Sequence, residues 1–332
     1  MKTIVFNNVY VLSKSSVAGP MEAKGPLKNR FDKTYDDLYC KEETFEKAER
    51  TMLYDACDIA LRKADMKENE IDLCIGGDLM NQLFSSHYFI RDIPISFIGM
   101  YAACATSSLI IGEGALWIDS NKAKHVLCFT SSHNNTAERQ FRYPNEYGVQ
   151  KKESTTFTVT GAGACILSNK KTHIKVKAFT IGEVVDWNHK DANDMGKAMA
   201  PAAFETICEH LKNRKLSIQD YDLIVTGDLS KIGFSFLCDL FLNKNYKIDN
   251  RLYDCGLMIF DPNNKSTFAG GSGSACSMCV SMSYLLKEVE KGNYKRIMVV
   301  ATGALLSLIP LQQKESIPCI AHAIEYEWSD VK

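Results

Sequence analysis

The sequence predicts an α/β protein built from two similar halves that share a central layer of buried helices. Three observations carry this. Laid at an offset of 150, Ile71 to Leu79 and Tyr221 to Leu229 match at five of nine positions, and both runs end in Gly-Asp-Leu. Each run follows a helical pattern and a charged turn, and each is followed by a small-residue helix start, at Cys104 and at Ala275, standing 22 residues before the strand residues Val126 and Ile297. Small residues crowd Ala102 to Ser108 and Gly270 to Ala275, as two closely packed helices require.

The elements follow in order. A length of 332 residues suits two domains or one large layered unit, and the repeat divides it into residues 1–170 and 171–332. Asn7 to Gly25 reads as loop with short strands, punctuated by Gly19-Pro20 and Gly25-Pro26. Phe45, Ala48, Met52, Ala56, Ile59 and Ala60 fall at helical spacing. A charged turn then leads to a short buried strand, Ile71 to Ile75, that ends at Gly76-Gly77-Asp78. Ile95, Phe97 and Ile98 are strand-like, and Ser107 to Trp117 is helical, so Cys104 stands at a strand-to-helix turn. After a turn at Asn121 comes the strand His125 to Thr130. The stretch 131–155 reads as an inserted loop, polar, aromatic and basic up to Lys152, and loops of that length inside a domain usually bind something. TTFTVTGAGACIL then alternates as a strand. The second half repeats the scheme with a helix from Met199, a strand Leu223 to Val225, the glycine-rich AGGSGSAC, a helix to Lys291 and a strand Arg296 to Ala301.

Composition narrows the function. Hydrophobic residues at 45% and charged residues at 24% are those of a globular protein, and a net charge of -1 argues against nucleic acid as a partner. Twelve cysteines spread over a long chain, mostly in apolar segments, indicate a reducing compartment. Cys276 and Cys279 form a lone C-x-x-C inside a helix start, which predicts buried thiols rather than a zinc or redox site, and no metal is expected elsewhere. Nothing at the N-terminus reads as a signal peptide. Ile93 to Gly112 carries no charge over twenty residues, yet Pro94, Gly99 and a Thr-Ser-Ser step suit a buried strand, turn and helix better than a membrane span. Any membrane association is expected to be peripheral.

A thiol at a helix start gains from backbone N–H groups and the positive end of the helix dipole, which favour thiolate and bind anions. The plain alternative is a small buried thiol among eleven others. The surrounding pattern adds to the local one. A cysteine after a strand, two similar halves, a glycine-rich turn in the second half and a late Pro318-Cys319-Ile320-Ala321-His322 segment resemble the thiolase superfamily, including the ketoacyl synthases. Within it, SSHNNTAERQFRYPNEYG, DCGLMIF, FAGGSGSACS, VVATGALLS and QQKESIPCIAH are similar to the stage V sporulation AD family of endospore-forming bacteria. With Gly25-Pro26-Leu27 and the two Gly-Asp-Leu runs, these blocks are scattered as far as His322 and span nearly the whole chain.

The resemblance implies a thiolase-like five-layer α-β-α-β-α fold and a dipicolinic acid-binding component of the SpoVA system. Such a component acts in dipicolinate uptake into the forming spore and release at germination. The resemblance also implies a protein made in soluble form that lies peripherally at the spore inner membrane, with other SpoVA membrane proteins as partners and a homodimer as its assembly. Thiolase chemistry needs groups that hold the thioester oxygen and move protons. By position these fall where this chain has Asp228 and Gly271-Ser272-Gly273, with neither histidine nor asparagine, and a carboxylate beside the thiol disfavours thiolate. Catalysis is therefore not expected, and no cofactor with it. An acyl-CoA-dependent condensing enzyme or acyltransferase, with Cys104 as nucleophile and His322 or Cys319 assisting, stays open, as does a structural subunit that docks on membrane partners.

A flat pyridine with two carboxylates wants forked cations, a helix N-terminus and an apolar slot. Arg139, Arg142, Lys151, Lys152 and Lys314 are candidates for charge, Phe141, Tyr143 and Tyr147 for the ring, and Cys104, Thr106, Ser107, His133 and Ser272 for the pocket floor. If the ligand arrives as its calcium chelate, Asp78, Asp228 and Glu138 would face the metal. His133 is equally well read as a satisfied loop histidine, and the RQFRYP stretch as a solvated or dimer-contacting segment.

Overall fold

A computed structural model describes residues 1–331. Its first half runs β1 (Lys2–Val5), β2 (Tyr10–Ala18), β3 (Lys33–Thr34), α1 (Phe45–Lys63), β4 (Leu73–Gly77), α2 (Phe84–Ile90), β5 (Phe97–Gly99), α3 (Thr106–Asp119), β6 (His125–Ser132), α4 (Asn134–Phe141), β7 (Phe157–Thr158) and β8 (Gly161–Ser168). The second runs β9 (Ile174–Ile181), α5 (Met195–Arg214), β10 (Leu223–Thr226), α6 (Ser230–Asn243), β11 (Leu252–Asp254), α7 (Cys255–Ile259), β12 (Gly271–Ser272) and α8 (Ser274–Val280). A π-helical turn at Ser281–Leu285 joins α8 to α9 (Leu286–Glu290), and β13 (Arg296–Ala304), α10 (Leu308–Gln312) and β14 (Cys319–Trp328) complete the chain.

The duplication is visible in the strand order, β11-β10-β13-β14-β9-β2-β8-β6-β4-β5. Read outward from the middle, β2-β8-β6-β4-β5 mirrors β9-β14-β13-β10-β11, with the same parallel and antiparallel senses at each step. The two halves of the sheet meet at β9, which pairs with β2 at Tyr10 and Lys175 and with β1 from Lys2 to Val5. Between them lie α3, which packs on strands of both halves, and α8, which packs on β2, β6 and β8 while its continuation α9 reaches β9 and β14. Ser107 and Ser277 touch through their hydroxyls at 2.6 Å across this helix pair. Outside, α1 covers β2, β6 and β8, while α5 covers β13 and β14. The result is the five-layer thiolase-like arrangement, with the largest apolar cluster in the central layer.

Two expectations are corrected. Residues 10–18 are not loop but the buried central strand β2. Its sequence, YVLSKSSVA, hides the strand because its serines serve the helix above: Ser13 Oγ donates to the Ala60 carbonyl at 2.7 Å and Ser15 Oγ to that of Ala56 at 2.5 Å. The stretch 131–155 is not one loop either. Asn134–Phe141 forms α4, whose Asn135 N–H is capped by His133 Nδ1 at 3.2 Å. Eight mostly polar residues are too short a run for periodicity to announce a helix. Cys276 and Cys279 are buried free thiols on α8, and no group of metal-ligating side chains occurs among the described residues. No helix among them is long and apolar enough to cross a membrane.

Candidate functional site

The turn from β5 into α3 is closed by one hydroxyl. Thr106 Oγ1 donates to the Ala103 carbonyl at 2.7 Å and accepts the Ala102 N–H at 3.0 Å. Ala103 is held at φ +48°, a left-handed conformation that costs a non-glycine residue about 1 kcal/mol or more and persists where packing over-determines it. The turn thereby sets Cys104 at the foot of a narrow cavity lined also by Tyr101, Arg142, Ser272, Gly273 and Leu306. The room inside, about 30 Å³, holds a water molecule or two and no pyridine ring.

Behind the thiol stands Asp228, fully buried at the end of β10. Its Oδ1 accepts Thr302 Oγ1 at 2.6 Å and its Oδ2 the Gly273 N–H at 3.1 Å. Burial raises its pKa to about 7, against the hydrogen bonds that work to lower it. Burial and then the Asp228 carboxylate push the Cys104 thiol well above its ordinary value, with Gly273 and Arg142 pulling weakly the other way. At neutral pH the pair holds a thiol, not a thiolate. Alkylation of Cys104 by iodoacetamide, read on its peptide by mass spectrometry, is therefore expected to run at least tenfold slower at pH 8 than that of a free thiol, and to speed up in Asp228→Asn. Equal rates in the two proteins would show that Asp228 does not govern the thiol.

The remaining expected site residues separate. Arg142 and Ser272 line the Cys104 cavity, and Asp228 backs it. Thr106 is spent on its own turn and Ser107 on Ser277, so neither hydroxyl is offered to a ligand. Asp78 is buried, accepting Ser86 N–H at 2.7 Å, Ser86 Oγ at 2.6 Å and Met80 N–H at 2.8 Å. His133 has Nε2 2.8 Å from the Leu38 carbonyl, and burial lowers its pKa to about 4. It is a satisfied core histidine. Arg139 pairs with Glu46 of α1 and does not line the cavity, and Lys314 is exposed beyond α10. His322 and Cys319 do not line the cavity. His322 Nδ1 accepts the Gly182 N–H at 3.1 Å and burial lowers its pKa to about 4, while Cys319 is buried and donates to the Ile317 carbonyl at 3.4 Å.

A second, roomier pocket of about 200 Å³ shares the Phe141 and Arg142 wall with the cavity. Tyr143, Asn145, Lys151, Leu308 and Leu311 form its other sides. Glu138, with a side chain only 1% exposed, organises the charge there: Arg142 Nη1 bonds its Oε1 at 2.8 Å and Lys151 Nζ lies 2.9 Å from its Oε2. Two cations against one carboxylate leave a net charge of about +1. Arg142 is incompletely used, since its Nε is buried without a partner and its Nη2 meets only Met195 Sδ at 4.0 Å. Sequence reasoning placed Glu138 at a metal and missed it as the hub of these cations. The i,i+4 spacing of Glu138 and Arg142 was the available signal. Leu308 and Leu311 gave none, because they arrive from the far end of the chain.

Comparison with known proteins places this site in a family. Residues 1–327 match the family model of stage V sporulation protein AD. The chain is 45% identical over 327 residues to stage V sporulation protein AD of Bacillus subtilis strain 168, covering 98% of this chain and 96% of that protein. Among solved structures, 3-oxoacyl-[acyl-carrier-protein] synthase III from Aquifex aeolicus VF5 superposes with a TM-score of 0.58 at 14% identity, over 96% of this chain and 100% of that one. A variant of Xanthomonas campestris OleA superposes with a TM-score of 0.63 at 14% identity, over 98% of this chain and 99% of its own. At that identity these two speak for the fold alone.

Proposed function

Because the chain belongs to the stage V sporulation protein AD family, a sporulation family on a thiolase-like fold, we propose that it is a non-catalytic dipicolinic acid-binding protein of the SpoVA system. It acts in dipicolinate uptake into the forming spore and in release at germination, peripheral to the spore inner membrane, as a homodimer with SpoVA membrane proteins as partners. The observation that carries the reading is Arg142, a mostly buried guanidinium with a free Nε and a nearly free Nη2 between two pockets. A buried donor without a partner costs free energy that a carboxylate would recover.

The roomier pocket, not the space directly above Cys104, takes the ring. Phe141, Tyr143, Leu308 and Leu311 supply apolar walls, Arg142 and Lys151 face one carboxylate, and Ser272 and Cys104 lie beyond Arg142 on the side of the second. Against catalysis stand a thiol held protonated and a cavity whose lining includes no histidine or asparagine.

Calorimetry with dipicolinate, with and without calcium, run beside a thiol-release assay with acetyl-CoA, tests this. Saturable binding is expected, weakened about 100-fold in Arg142→Ala with the fold retained by circular dichroism at the temperature of titration, since a charge-assisted bidentate contact is worth roughly 2–3 kcal/mol. No thiol release is expected. Release that vanishes in Cys104→Ser would establish an acyltransferase instead, and silence in both assays would favour a docking subunit with a vestigial pocket.

A further inference from the structure

Asp228 is a buried carboxylate that no cation among the described residues touches. Both oxygens are taken by neutral donors, Thr302 Oγ1 at 2.6 Å and the Gly273 N–H at 3.1 Å, and Gly273 lines the same cavity as Cys104 and Arg142. The titratable groups around it come from every packed element: Cys104 from the turn before α3, Asp254 from β11, Cys255 from α7, Cys276 from α8 and Cys319 from β14. Arg142 is a nearby cation, and it lines the same cavity as Cys104. An anion seated on Arg142 would therefore lie over a thiol whose other neighbour is a second negative charge.

We propose that anion binding at this site is coupled to the uptake of one proton by Asp228, which makes Asp228 a positioning residue for the dicarboxylate. The inference rests on the reading of the site as a dipicolinate site. In the free protein Asp228 lies against the floor of the cavity through Gly273, with no cation beside it to balance its charge. When a ligand carboxylate settles on Arg142, a second negative charge enters the cavity that Asp228 backs, and the buried Asp228 carboxylate has no cation of its own to offset it. One proton from solvent then binds the Asp228 carboxylate, and the neutral acid keeps the Thr302 and Gly273 contacts while no longer repelling the ligand. No bond to carbon forms or breaks.

The fold supports that assignment in its surroundings. The burial that raises Asp228 to about 7 leaves it half ionised near neutrality, so a ligand can shift it. His133 and His322 are held near 4 by burial and stay neutral above pH 6. Dipicolinate itself is fully ionised there, as carboxylates of ordinary pKa are.

The test is calorimetric titration of the full chain with dipicolinate in two buffers of unlike ionisation enthalpy, from pH 6 to 8.5. Uptake of about 0.1 proton per ligand is expected at pH 6 and about 0.9 at pH 8, with affinity falling about tenfold per pH unit above 7. In Asp228→Asn the uptake should vanish and the affinity should become flat with pH, exceeding that of the unaltered protein at pH 8.5. The two-buffer comparison on the unaltered protein decides the matter even if Asp228→Asn folds poorly. Saturable binding with the same heat in both buffers would overturn the proton coupling and leave the dipicolinate reading intact. Absence of binding at every pH would overturn the dipicolinate reading itself, and this inference with it.

Discussion

Glu325→Ala is expected to cost about 3–5 kcal/mol of stability, the penalty for breaking a buried ion network by removing one member. Glu325 lies on β14 with a side chain that is completely buried. Arg214 grips it with two bonds, Nε to Oε2 at 2.8 Å and Nη2 to Oε1 at 3.2 Å, and Arg296 Nε lies 3.3 Å from Oε1. Tyr221 OH donates to Oε2 at 3.0 Å, and His210 Nε2 stands at the same distance. The network joins α5, the start of β10 and the edge pairs of β13 and β14, so its loss loosens the outer layer of the second half. A β-bulge between Glu325 and Tyr326 aims the carboxylate at α5.

The same residue sets the acid limb of the stability curve. Burial works to raise the Glu325 carboxyl, but hydrogen bonds from His210 and Arg214 overcome it and hold the pKa near 2. A depressed folded value contributes stability that is present above the unfolded value of about 4.5 and is lost as pH falls toward 2, here about 3 kcal/mol. Glu22 and Asp228, each raised to about 7, and Asp254, raised to about 6, act in the opposite sense. Their contribution is complete below about pH 4 and erodes as pH rises through those values. His133 and His322, lowered to about 4 by burial, also lose stability as pH falls, but the three raised carboxyls outnumber them between about pH 4 and 6. Urea unfolding across pH should therefore show a maximum near pH 5 rather than at neutrality, and Glu325→Gln should flatten the part of the acid side below about 4.5. A maximum above pH 7 would contradict the raised carboxyls.

How far these features were legible in the chain depends on whether they are local. The turn that holds Cys104 was readable because strand, small residues and helix follow one another without interruption. The duplication was readable because Gly77-Asp78-Leu79 and Gly227-Asp228-Leu229 repeat the same strand ending. Yet the two aspartates diverge in use: Asp78 caps its own loop through Ser86, while Asp228 meets Thr302 and Gly273 from elsewhere in the chain. Ser13 and Ser15 looked like loop residues because their partners, the carbonyls of Ala60 and Ala56, lie more than forty residues away. Likewise Arg139 and Arg142 differ by three positions, nearly one turn, yet one faces Glu46 and the other the pocket. Spacing identified the basic segment, and only packing could tell its two arginines apart.

Gly303→Val should couple both levels, fold and site, in one substitution. Gly303 sits on β13 where a Cβ would come 2.3 Å from the Ala102 carbonyl oxygen and 3.1 Å from the Ala105 nitrogen. Backbone on both sides cannot yield as a flexible side chain would, so the turn carrying Cys104 must move by about 1 Å and the overpacking should cost 3 kcal/mol or more. That turn is already held at φ +48° by the Thr106 hydroxyl and has little freedom left to absorb the shift. The expected readout is twofold: a lower urea midpoint, and a changed rate of Cys104 alkylation as the thiol is pulled from Asp228. Gly114→Ala provides the contrast, because its Cβ would meet Cys128 Sγ at 2.7 Å in the same helix α3 but far from the turn. It should destabilise with Cys104 reactivity unchanged. If both substitutions altered the thiol alike, the central helix would be transmitting strain along its length, and the turn would not be the independent, over-determined unit that its hydrogen bonds describe.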